Sequence, residues 1–193
     1  KQYGKLSSVL TLLNKCCTPM GKRKFQYNLT NPTFDMEWLN TEYMMTELML
    51  MDDNYAIIEH FRGQMKQIRD MEKMCRQLIV KKIYPSSIYQ LYYGIIIIQQ
   101  LNICLWELPD MCHYLMKDIT GLHSGIEPNL YIEQETQTLI QFLKTHFVIN
   151  ECKNISSMTT FHQNIIQPGK SSELDELIET CNKSQQEFSD ILN

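Results

Sequence analysis

Apolar residues recur along most of the chain at the three-and-four spacing of helices, and the interruptions are mostly prolines. Met71, Met74, Cys75, Leu78 and Ile79 form one such stripe, and Leu139, Leu143 and Phe147 form another. Thr18-Pro19, Asn31-Pro32, Tyr84-Pro85, Leu108-Pro109, Glu127-Pro128 and Gln167-Pro168 fall between these stretches. Proline suits the first turn of a helix and breaks its interior, so each pair marks a boundary. The β-branched run Ile95 to Ile98 fits a strand on its own. Its flanks, Tyr89, Tyr92 and Tyr93 before it and Leu101 and Leu105 after it, carry the helical spacing onward without turn residues, so the segment reads as a long buried helix. There are seven glycines and no Asn-Gly or Asp-Gly pair to turn a hairpin. The expected class is all-α. Residues 150–169 are the polar, aperiodic exception, with a Ser and Thr cluster from Ser156 to Thr160, and read as a long connection holding a short extended segment.

The last stretch carries the clearest pattern. Leu174, Leu177, Cys181, Ser184, Phe188 and Ile191 are spaced 3, 4, 3, 4, 3, the a/d seam of a coiled coil. The seam is still in phase at Asn193, which predicts a rod that continues in a longer parent protein. Lys1 in the place of a starting Met fits the same expectation of an excised piece.

Composition narrows the function. At 193 residues the chain suits one domain with a protruding element. A net charge of −4 supplies no general attraction for nucleic acid or an anionic membrane. The basic runs Lys22-Arg23-Lys24 and Lys81-Lys82 read as solvated helix ends, the latter offsetting a C-terminal dipole. Seven cysteines, an odd number without a Cys-x-x-Cys pair, favour a reducing, intracellular compartment. Cys112-His113 with His123 lacks a fourth ligand at structural-zinc spacing, so no metal is expected. The longest apolar run, Leu91 to Ile98, is far short of the ~20 residues of a membrane span.

Gly169-Lys170-Ser171 matches the end of a phosphate-binding loop, G-x-x-x-x-G-K-[ST]. The first glycine of that loop would stand at Asn164, and Ile165, Ile166 and Pro168 remove its flexibility and one donor. Glu173, Asp175 and Glu176 fill the following helical turn, where they complement the dipole and repel a triphosphate. The stretch reads as a helix start, with Ser172 as N-cap and Asp175 three residues on. No nucleotide, catalytic or metal site is expected in the chain.

Three segments together resemble the MutS family of DNA mismatch-repair ATPases. The first runs from Leu6-Ser-Ser-Val-Leu10 into Thr18-Pro-Met20-Gly21-Lys-Arg23, similar to the family's leucine-rich helix and T-x-M-G-x-R, followed by Pro32. The second, Asp70-Met-Glu72-Lys-Met-Cys-Arg76, resembles D-x-E-x-x-x-R and leads into Tyr84-Pro85-Ser-Ser. The third, Ile166-Gln-Pro168-Gly169 with Glu173-Leu174-Asp175-Glu176-Leu177, resembles the I-x-P-G…E-L-D-E-L approach to the long clamp helix. All three stand in the family's order and span essentially the whole chain. The Tyr-Pro-Ser-Ser wording and the richness in Ile, Tyr and Met are similar to MutS homologues of large DNA viruses. One departure is Leu39-Asn-Thr-Glu42, where the family has I-x-x-R: a reversal of charge.

The resemblance implies a lever. Residues 1–172 would be the first pass of the lever (core) domain and 173–193 the start of a clamp arm, a long protruding coiled-coil-like helix. The chain itself would be non-catalytic and hold no DNA-binding residue. The parent would bind ATP and Mg, grip double-stranded DNA through its clamp and mismatch-reading domains, and pair with a second MutS-like subunit. The alternative is a free-standing helical-bundle interaction protein; glycan on a sequon such as Asn28 or Asn154, or paired cysteines, would mark it. An ATPase assay on the chain alone is expected to give turnover no higher than a protein-free blank, and turnover above it would restore the Gly169-Lys170-Ser171 loop as a nucleotide site.

Overall fold

The computed structural model describes residues 8–122, 127–156 and 164–192. His123, the Ser and Thr of the cluster from 157 onward, the segment Leu6-Ser7 and Asn193 lie outside the described residues. Within them the chain forms α1 (Val9–Leu13), α2 (Pro19–Thr30), α3 (Met36–Leu50), α4 (Asp52–Met65) and α5 (Met71–Ile79). There follow α6 (Pro85–Leu105), α7 (Pro109–Leu122), α8 (Pro128–His146), α9 (Ile149–Cys152) and α10 (Ser172–Leu192). The all-α class holds, with one isolated antiparallel bridge, Phe147 to Ile166, among the described residues.

The starts of these helices follow from local chemistry. Pro19, Pro85, Pro109 and Pro128 each occupy the first helical position, where the missing N–H is no loss. Thr18, Asp35 and Asp70 sit in extended backbone just ahead of α2, α3 and α5, and their side chains accept from Gly21, Trp38 and Lys73 N–H groups. α5 stops in a Schellman turn: Lys82 N–H donates to the Gln77 carbonyl at 2.8 Å and Lys81 N–H to Leu78 at 2.9 Å. Lys81 takes the left-handed conformation there (φ 55°) in a place glycine usually fills.

α6 is the axis. Its apolar residues point in most directions; seven of its residues are buried, while Tyr93 and Ile103 stay exposed. Its first half, through Ile88 and Ile95, packs on Ile140 and Leu143 of α8 and on Ile149 of α9. Its last turn, at Leu105, joins a second cluster with Phe61 of α4 and Met111 and Met116 of α7. α6 is also long and apolar enough to cross a bilayer, but α4, α5, α7, α8 and α9 lie against it, as around the core helix of a bundle. Gly94 lets α5 come close, since a Cβ there would stand 2.6 Å from Met71 Cε.

Both predicted stripes need correction. On α5 only Met74 is buried and Met71 partly so; Cys75 and Leu78 are exposed and Ile79 is 79% exposed. A nine-residue helix meets α6 through its first turns and carries its last turn past the contact. On α8 the buried line is Thr136, Ile140 and Leu143, continued by half-buried Phe147, while Leu139 faces outward. Leu143 and Phe147 keep their predicted side, Ile140 takes the place of Leu139, and Thr136 is accommodated there by donating its hydroxyl to the Ile132 carbonyl, 2.6 Å away.

The connection 150–169 begins inside α9, a short helix that no periodicity in the sequence announces, and Cys152 there is fully buried. Its later part is extended beside the end of α8, with Val148 N–H to Ile165 O at 2.8 Å and Gln167 N–H to His146 O at 2.9 Å. Substituting Ile97→Ala, at a site only 1% exposed, is expected to lower the unfolding free energy by about 2–5 kcal/mol. Ile103→Ala, on the 68% exposed face of the same helix, should cost under about 0.5 kcal/mol; urea denaturation of both variants checks the assignment of faces.

Candidate functional site

The motif residues gather at two places. The first joins α2 to α5. Thr18 caps α2 with its Oγ1 3.0 Å from the Gly21 N–H, and a Cβ on Gly21 would stand 2.9 Å from that oxygen. Threonine and glycine three apart are therefore one device: any larger residue at 21 would displace the cap. One turn on, Arg23 spreads its guanidinium across two carboxylates, Nη1 to Asp70 Oδ2 at 2.7 Å, Nη2 to Asp70 Oδ1 at 2.9 Å and Nη2 to Glu72 Oε2 at 2.5 Å. The fork matches the carboxylate plane, as arginine's does and lysine's cannot.

Asp70 works in two directions. While holding Arg23, its Oδ1 accepts the Lys73 N–H at 3.1 Å and so starts α5. The hydrogen bonds from Arg23 hold its carboxyl down at about 2, well below the ordinary 3.8, with the Lys73 N–H and the charges of Arg23 and Arg76 adding to the effect and partial desolvation opposing it. The Arg23 guanidinium is correspondingly held in its charged form by Asp70 and Glu72. Arg23 is thus an ion-paired strut rather than the solvated helix end expected of the Lys22-Arg23-Lys24 run. Arg76 stays exposed on α5, Met20 is half-buried, and Pro32 lies in the exposed link between α2 and α3. A second polar tie runs alongside, from Arg62 Nη2 to the Lys15 carbonyl at 3.2 Å.

The second place is the root of α10. Gln167 Nε2 donates to the Lys144 and Phe147 carbonyls, each at 3.2 Å, closing the end of α8. Gly169 follows Pro168 with φ +79°, a conformation that side chains disfavour. Its N–H, which a phosphate loop would turn toward an anion, donates to Asp175 Oδ2 at 2.8 Å. The N-cap is Ser171 rather than Ser172: its Oγ accepts the Leu174 N–H at 3.3 Å. The helix therefore starts one residue earlier than the capping pattern indicated, with Asp175 reaching back past the cap to Gly169. Glu173 and Glu176 stay in solvent, while Leu174 and Asp175 are half-buried at the junction. Beyond them Leu177, Cys181, Ser184, Phe188 and Ile191 are exposed, so the seam has no partner among the described residues.

Over residues 1–192 the sequence matches MutS domain III. The chain belongs to that family. This domain III is 29% identical over 103 residues to the mitochondrial DNA mismatch repair protein mutS homolog of Sarcophyton glaucum, covering 51% of the chain and 10% of that protein. It is 32% identical over 93 residues to a putative DNA mismatch repair protein mutS homolog of Acanthamoeba polyphaga mimivirus, 46% of the chain and 8% of that relative. With the DNA mismatch repair protein MutS of Carboxydothermus hydrogenoformans the identity is 25% over 134 residues, 69% of the chain and 15% of the relative. The chain thus spans between 8% and 15% of the length of these relatives. No solved structure matches it.

Several polar contacts of this domain III were not foreseen. Glu42, the reversed charge of the Leu39-Asn-Thr-Glu42 departure, accepts a short hydrogen bond from Tyr114 Oη and so ties α3 to α7. At the meeting of α6, α7 and α8, buried Asn102 donates to the Asn129 carbonyl at 3.0 Å, and the Asn129 amide lies 3.2 Å from Cys112 Sγ. Cys112, one of the three residues Cys112, His113 and His123 weighed as a metal cluster, is engaged there, and among the described residues no three His, Cys, Asp or Glu side chains could hold an ion. A glutamate and a tyrosine on helices far apart in sequence leave no periodic mark, which is why only geometry finds such pairs.

The fork gives a signed pH expectation. Because folding depresses the Asp70 carboxyl from 3.8 to about 2, its contribution to stability is complete above about pH 4 and fades as the pH falls toward 2. Arg23→Gln is expected to lower the melting temperature at neutral pH, and the gap from the unaltered protein should close between about pH 4 and 2. A gap of constant size across that range, measured by denaturation at each pH, would show that Asp70 owes its low value to something else.

Proposed function

We propose that this domain III is the non-catalytic lever of a MutS-type mismatch-repair protein, with residues 1–172 as its body and the helix from 173 onward as the root of a clamp arm. In this reading the body conveys a change from an ATPase elsewhere in the parent to arms that close on double-stranded DNA. ATP and Mg would be bound by the parent outside this chain, and a second MutS-like subunit would complete the clamp, in a reducing, intracellular setting. The observation that carries the reading is the last helix: preceded by Gln167, which donates to the end of α8, and held at its start by the Gly169 N–H on Asp175, it then runs on with Leu177, Phe188 and Ile191 bare. A helix whose apolar seam faces water is waiting for a second strand. The body suits transmission because α6 packs against five neighbours and densely packed helices shift as units rather than deform.

Gly169 offers a clean test, because a Cβ there would meet nothing within 4 Å and only the backbone angle is at stake. In the full-length parent, Gly169→Val should weaken the nucleotide response of DNA clamping about tenfold, in line with the ~1–2 kcal/mol cost of a left-handed side chain, with the helical circular-dichroism signal unchanged. A variant that clamps DNA and answers to nucleotide as the unaltered protein does would remove the coupling role.

A further inference from the structure

Between the end of α4, the first half of α6 and the end of α9 lies an open cleft of about 480 Å³ that no motif of the sequence points to. Its charge is one-sided. Lys66 and Arg69, both from the connection between α4 and α5, line it together with Lys153 at the end of α9, and no carboxylate does. Lys66 and Arg69 enter no ion pair among the described residues, although the chain as a whole carries a net −4. Asp70, next to Arg69, is turned away onto Arg23 and Lys73.

The floor between these cations is aromatic. Tyr89 and Tyr93, one helical turn apart on α6, hold their rings parallel within 2° at 6.3 Å between centroids. Lys153 Nζ sits 5.7 Å over the Tyr89 ring, and Tyr93 remains 41% exposed. Tyr93 Oη donates to Gln67 Oε1 at 3.0 Å. That contact occupies the acceptor of Gln67 and leaves its NH₂ to donate, so the cleft offers donors and positive charge around a ring face. Its volume lies within the ~300–1,000 Å³ of ligand clefts and exceeds what a lone phosphate needs.

We propose that this cleft binds a short single-stranded stretch of nucleic acid, with phosphates on Lys66, Arg69 and Lys153 and an unpaired base against Tyr93. Cations that track a backbone beside an aromatic platform are what sequence-independent strand binding requires. A duplex keeps its bases stacked inside and could use only the cations. An acidic peptide would likewise leave the tyrosine rings without a role. The resemblance places DNA contacts outside this chain, and net charge averages over a surface, so neither points to cations that the fold sets around one cleft.

The test is fluorescence anisotropy on the full chain with a labelled deoxythymidine decamer, a duplex of equal length and a polyglutamate competitor. The decamer should bind with a log–log salt slope of about −2, as three phosphates on a single strand give. Lys66→Gln/Arg69→Gln/Lys153→Gln should abolish binding, while Lys81→Gln/Lys82→Gln, which removes two cations elsewhere, should leave it unchanged. Tyr93→Leu should weaken the decamer about five- to a hundredfold without altering the slope, and Tyr93→Phe should bind as the unaltered chain does. Circular dichroism of each variant checks that the fold is kept. No binding at low salt, a duplex bound as tightly as the decamer, displacement by polyglutamate at equal charge, or a Tyr93→Leu chain that binds normally would each overturn the proposal.

Discussion

Because α6 is apolar on most of its sides, burying it requires several neighbours, and most of the remaining architecture follows from supplying them. α8 and α9 cover its first half and α4 and α7 its end, while α5 approaches at Gly94, where the lack of a Cβ makes room for Met71. Two apolar clusters strung along one helix make a body that is elongated in its packing logic: neither cluster is a closed centre, and α6 is the shared member that couples them. Burial of this kind is non-directional and sets how much surface is hidden, not how the helices are oriented.

Orientation comes from the polar joints. Arg23 fastens α2, a helix with no buried residue, to the first turn of α5. Glu42 and Tyr114 fix α3 against α7, Asn102 and Asn129 register α6 against the start of α8, and Gln167 closes the end of α8 against the strand-like approach to α10. Hydrogen bonds and exposed ion pairs contribute little net stability each, but they are directional and lose most of their value when misaligned. Of the residues that carry the resemblance, Arg23, Asp70 and Glu72 form one of these joints, whereas Pro32 and Arg76 stay exposed. A core tolerates exchange among Ile, Leu and Met, whereas a joint depends on particular atoms at particular angles.

How much of this could be read from residues alone depended on the range of the interaction. Helix starts were legible because capping is local: Thr18 and the prolines at 19, 85, 109 and 128 act within four residues of themselves. The heptad of the last helix was legible for the same reason. The faces were less so: Leu78, Ile79 and Leu139 have the right spacing yet face outward, since period fixes which residues share a side and not which side meets a neighbour or how far the contact runs. The Glu42 partner and the cleft around Tyr93 were beyond reach, because Glu42 and Tyr114 stand 72 residues apart and Lys153 lies far along the chain from Lys66 and Arg69.

The root of α10 has a mechanical consequence. A straight helix of 21 residues rises about 30 Å from end to end, and the left-handed Gly169 stands between Gln167 and the Ser171 cap at its root. A turn of only about ten degrees there would sweep the far end sideways by about 5 Å, roughly one helical pitch. Small angular changes at the root of α10 would thus become displacements on the scale of a whole side chain at its far end, a gain set by length alone and independent of any contact that end goes on to make.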